Sequence, residues 1–113
     1  MNLNKKETIC EWMKVSPQNP KTGSMIGLAV QTLGNGVLHG LRHAPKNNSN
    51  GWYLWCGEYS EDEKFFSPIC IEHLEQYLDK GVLEFLDLPP GFRFLIDGKN
   101  YEDVWFDEKL LND

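Results

Sequence analysis

Pro89 and Pro90 constrain the chain more than any other pair of residues. A proline has no amide hydrogen to give to a helix, and its ring clashes with the turn before it. The short helical turn predicted for "VLEFLDL" must therefore stop there. Beyond the prolines, Phe92–Ile96 and Tyr101–Asp107 read as strands on either side of the turn residues "DGKN". So short a connection suits an antiparallel hairpin and is too short for a crossover.

The upstream chain adds mixed elements. Residues 4–14 predict a helix whose Ile9, Trp12 and Met13 share one apolar face, with Asn4 as N-cap and Glu7 completing a capping box. "SPQNPKTG" stops it. Met25–Thr32 reads as a strand, in which Gly27 marks a bulge or a close backbone approach. Asn35-Gly36 is a hairpin-type turn signal. Arg42–Asn50 has no periodicity and reads as a loop, and Trp52–Cys56 reads as a strand. An acidic connection, residues 57–68, leads to a helix over Ile69–Leu78, ended or capped by Gly81. No βαβ repeat is present. The expected class is α+β: one domain over residues 1–113, a small, mostly antiparallel sheet with two to three helices packed on one side. A length of 113 residues and a hydrophobic fraction of 41% suffice for one core.

Charge is divided along the chain. Residues 1–50 carry six Lys/Arg against two acidic residues, a net of +4. Residues 51–113 carry five against fifteen, a net of -10. Phosphate binding needs clustered cations, so nucleic acid is not an expected partner, while a basic protein is. A solvated acidic surface that keeps the chain soluble is the plainer explanation. No apolar run is long enough to span a bilayer, and the two lysines near the start precede no apolar signal region. The expected location is the cytoplasm, with no membrane partner. Cys10, Cys56 and Cys70 are expected as reduced thiols.

No constellation points to catalysis. Cys56 or Cys70 pairs on paper with His39, His43 or His73, yet no orienting motif accompanies any pair. His39 and His43 have the spacing of helical metal ligands, but Gly40 and Pro45 argue against a helix there. No metal and no cofactor are expected. The informative stretch is "GLRHAPKNNSNGWYLWCGE", Gly40 to Glu58, which sets a polar loop beside aromatics and acids. Trp52 and Trp55 are three apart and point to opposite faces of a strand. Arg42, His43, Trp52, Trp55, Glu58, Glu61, Asp62 and Glu63 are the candidate partner-binding residues. A competing structural role for Arg42 is pairing with Glu102 or Asp103. The Trp-rich strand is equally suited to a homodimer face.

Three segments, "GLRHAPKNNSNGWYLWCGE", "FFSPICIEHLEQYL" and "LDLPPGFRFLIDGKNYEDVWFDEKLL", resemble the small bacterial immunity proteins of polymorphic toxin systems, the family numbered thirty-three and its close relatives. The matching motifs lie at Gly40–Pro45, Gly51–Trp55, Ile71–Leu74, Leu88–Leu95 and Tyr101–Trp105, so the resemblance covers residues 24–111. It implies a non-catalytic cytoplasmic protein that binds one cognate toxin and blocks it. Many such toxins are nucleases with basic clefts, which an acidic face would complement. Other readings are an adaptor or subunit of another complex and a small Cys/His hydrolase.

Overall fold

The longest strand, Ser49–Cys56, lies in the interior of the sheet and is buried along most of its length. A strand covered on both faces loses the simple alternation of inward apolar and outward polar residues, and the run Gly51, Trp52, Leu54, Trp55, Cys56 shows that loss. A computed structural model describes residues 8–99 and 101–112. We number the strands β1 (Met25–Leu28), β2 (Leu38–Arg42), β3 (Ser49–Cys56), β4 (Ser67–Cys70), β5 (Phe92–Ile96) and β6 (Glu102–Phe106). The helices are α1 (Ile9–Met13) and α2 (Lys80–Leu83), with 3-10 turns at Val30–Thr32, Ile71–Gln76, Glu84–Asp87 and Glu108–Leu111.

The sheet order is β4-β1-β3-β2-β5-β6. β1 pairs with β3 in parallel, and the other neighbours are antiparallel. The α+β class holds, but the sheet is mixed rather than mostly antiparallel. The cause is the position of β1: it lies beyond β3 instead of beside β2, so Asn35-Gly36 bends the chain without joining neighbouring strands. β5 keeps the limits read from sequence, and its hairpin with β6 forms as expected.

Several elements differ from the sequence reading. Residues 67–70 form an edge strand against β1 where a helix was expected to begin, and only Ile71–Gln76 turns, as 3-10. The pairing of Ile69 with Ile26 outweighs the helical spacing of the apolar residues, and an edge strand tolerates Pro68. β2 was hidden because two of its three inward residues are Gly40 and Arg42. The supposed loop from Arg42 to Asn50 contains the end of β2, the start of β3 and a tight turn between them. α1 starts at Ile9 with a capping box in which Thr8 and Glu11 exchange hydrogen bonds. The Asn4–Glu7 box and residues 4–7 of the expected helix lie outside the described residues. Cys10 is the buried residue of α1, Ile9 and Met13 pack against the core as expected, and Trp12 points outward.

The core lies between the sheet and the helical segments. Ile26, Leu28, Trp52, Leu54 and Phe94 pack against Leu74, Phe85, Leu86 and Leu88. Trp52 is fully buried, and its indole N–H donates to the Leu86 carbonyl at 2.9 Å. Gly27 shows why one position on β1 lacks a side chain: an added Cβ would lie 2.6 Å from the Tyr53 ring. The register also slips between Met25 and Gly27, as a bulge requires.

At the end of β2, Arg42 is only 3% exposed. Its Nε donates to the Asn50 carbonyl at 2.9 Å, and its Nη1 donates to the carbonyls of Gln18 and Leu88 at 2.7 and 2.8 Å. The acceptors are backbone groups, not Glu102 or Asp103, so that expected pairing is corrected. Burial pushes the guanidinium down to about 10, while Asp87 acts the other way. It therefore stays charged at neutral pH. Replacing Arg42 with Met fills similar space but strands three carbonyls. R42M is expected to cost about 3 kcal/mol, read as a lowered urea midpoint at unchanged slope.

Candidate functional site

Side chains alternate along a strand, so Tyr53 and Trp55 leave β3 on the side opposite Trp52 and Leu54. The same rule brings His39 and Leu41 from β2 and Arg93 from β5 to that second face. No helix covers it among the described residues. The segment after β3 partly does: Phe65 and Phe66 fold back to form a small cluster with Ala29, Trp55 and Leu41. A groove of about 780 Å³ remains, floored by Leu41, Tyr53, Trp55 and Phe66, with Tyr59, His43 and Arg93 at its sides.

The rings hold one another in place. His39 stacks on Trp55 with centroids 5.0 Å apart, and Tyr59 meets Trp55 edge-on at 5.3 Å. Phe66 meets Tyr53 at 5.1 Å. Such arrangements let the negative face of one ring meet the positive edge of another. Arg93 lies over Trp105 at 5.6 Å and bonds Asp107 at 3.2 Å. Its Nε is buried without an acceptor among the described residues.

The turn at the groove's end depends on Gly51. Its φ is +93°, and a Cβ there would collide with the His43 carbonyl. Without one, the His43 N–H donates to the Gly51 carbonyl at 2.8 Å and closes the β2–β3 turn. The His43 Nδ1 lies 3.0 Å from the Leu110 carbonyl, joining the groove to the last 3-10 turn.

The eight candidate residues separate by face. His43 and Trp55 line the groove. Glu58, Glu61, Asp62 and Glu63 are exposed on the segment that carries Tyr59 and Phe66 to the groove. Arg42 and Trp52 are on the helical side, buried to 3% and 0% exposure. Their polar groups bond to backbone carbonyls within the fold. The tryptophans do point to opposite faces, but Trp55 too is only 5% exposed, beneath the neighbouring rings. The sequence reading missed Leu41, Tyr53, Tyr59, Phe66 and Arg93. Tyr53 was legible by alternation with Trp55; Phe66 and Arg93 depend on long-range pairing and were not.

The remaining chemistry is sparse. Among the described residues, no three His, Cys, Asp or Glu side chains cluster to hold a metal ion. Cys10 and Cys56 are buried. The Cys70 thiol donates to Glu72 at 3.0 Å, and this bond to a carboxylate pushes its titration up. Among the described residues, no helix is long and apolar enough to cross a membrane.

The family model of the Imm33-like domain matches residues 5–107. No curated protein and no solved structure matches the chain.

Burial, and then the positive charge of Arg93, pushes the His39 imidazole below its ordinary range. The folded state thus takes up a proton less readily than the unfolded chain. Stability is fully present above the unfolded value of about 6.5, and is lost as pH falls through that value towards the folded one. The melting temperature of the wild type is expected to fall between neutral pH and mild acid. H39F, which keeps a ring against Trp55, is expected to flatten that fall; an unchanged slope would show that His39 does not carry it.

Proposed function

We infer, because the chain belongs to the Imm33-like family, that it is an immunity protein that binds a cognate bacterial toxin and neutralises it. The observation that carries the site assignment is the aromatic groove on the second face of the sheet, whose lining includes Tyr59; exposed Glu58, Glu61, Asp62 and Glu63 belong to the same connecting segment as Tyr59. The groove offers rings already held in place, so little side-chain entropy is lost on binding. Large rings in a concave patch are what interface anchors are made of. The exposed acids on the segment that carries Tyr59 attract a basic surface and raise the rate of encounter, while the lining itself carries Lys46 and Arg93. A toxin with a basic cleft, such as a nuclease, fits this pattern, and nucleic acid itself does not.

Immunity proteins generally are not enzymes, and the thiols support that reading here. A nucleophilic cysteine needs a lowered pKa. Cys70 is held by a carboxylate that raises it, and the Cys10 thiol is pushed up by burial, then by Asp87 and Glu84. A cytoplasmic site of action fits a protein that must meet its toxin before the toxin reaches its target. An adaptor in another complex would show the same kind of surface and differ only in its partner.

Co-expression with a toxin encoded beside this protein tests the reading. Rescue of growth and one-to-one co-purification are expected. Y59A removes a ring that is 55% exposed at the groove, and should weaken binding by about 2 kcal/mol. The triple variant E61Q/D62N/E63Q should slow association and flatten its salt dependence. Unchanged affinity in both variants would move the toxin contact elsewhere, and absence of rescue would remove the immunity reading.

A further inference from the structure

We propose that the groove between α1 and β6 is a second docking site, taking a lysine- or arginine-bearing apolar segment of a partner protein. The helical layer covers the middle of the sheet and stops short of its last strand. A hollow of about 630 Å³ is left between α1, α2 and β6. Trp12 borders it and is 70% exposed, a large apolar surface left in water. Val104 lies within the hollow, turned to the same side of the sheet as Phe94, its partner across the ladder.

The charge decides the occupant. Glu84, Glu102 and Asp103 line the groove, and among the described residues no lysine or arginine does. Glu84 is already fixed there by accepting the Ile9 amide hydrogen at 3.1 Å. A second copy of this chain would bring the same carboxylates against one another, which opposes self-association. A cationic segment would neutralise them while its apolar side chains cover Trp12. β6 also ends the sheet, and among the described residues no strand pairs with its outer edge. An extended segment would therefore gain main-chain hydrogen bonds as well.

This site lies on the helical side of the sheet, opposite the aromatic groove, so the proposal does not depend on the immunity reading. It is tested by fluorescence anisotropy with the full chain and a labelled short peptide alternating lysine with valine. The comparison peptide carries glutamate in place of lysine. The lysine peptide is expected to bind, and the glutamate peptide is not. W12A and E102Q/D103N are each expected to weaken binding about tenfold, while E61Q/D62N/E63Q leaves it unchanged. Equal loss in that last variant would mean general attraction to an acidic protein and would overturn the proposal. So would indifference to W12A, or a wild-type dimer that W12A turns into a monomer.

Discussion

The buried guanidinium of Arg42 is the contact through which distant parts of the chain are held together. Its three acceptors belong to the segment after α1, the start of β3 and the residue before Pro89. None of these lies in a regular pairing that would otherwise satisfy its carbonyl through Arg42's own strand. A second polar network extends the connection: the Asn50 amide donates to the Ser24 hydroxyl, and its oxygen accepts the Trp52 amide hydrogen. A buried charge is tolerated when its hydrogen bonds are supplied this fully. Because Arg42 ends β2 and Gly51 stands opposite the next turn, the same contact sets where the groove on the far side of the sheet begins.

The two faces of the sheet divide the work of the molecule. Trp52 and Leu54 point into a layer closed by helical segments, where packing and the Trp52–Leu86 hydrogen bond hold a single arrangement. Tyr53 and Trp55 alternate with them and point to a face that, among the described residues, is covered by a returning segment of loop and bordered by the last 3-10 turn. A rigid strand thus presents its outward residues with little freedom to lose. The rings are ordered by one another, while the acidic residues beside them remain in solvent.

Local signals in the sequence carried part of this. The prolines before β5, the turn after it and the β-branched and aromatic runs marked the final hairpin correctly, since that pairing is between neighbours in the chain. The opposed directions of Trp52 and Trp55 followed from alternation alone. What failed was non-local. β2 has Gly40 and Arg42 where a strand would ordinarily carry apolar residues, and Gly40 is required because Phe94 of another strand occupies its space. Ile69 and Ile71 look helical until the free edge of β1 is available to pair with. Arg42 read as a partner contact or as the mate of Glu102 or Asp103, because nothing local announces three carbonyls drawn from elsewhere in the chain. The capping box seen at Thr8–Glu11 has the same spacing of cap and acid as Asn4–Glu7, which lies outside the described residues, so spacing alone did not single it out.

The two ends of the sheet are guarded by different chemistry. At β4 the guard is Pro68, whose ring nitrogen has no hydrogen to offer an incoming strand. At β6 it is the pair Glu102 and Asp103, which deter another acidic edge by repulsion. The first barrier is covalent and indifferent to conditions. The second exists only while those charges are uncompensated, so salt or polycations unmask one edge and not the other: two sheets joined at β6 would present only proline-guarded edges, and assembly would stop at the pair.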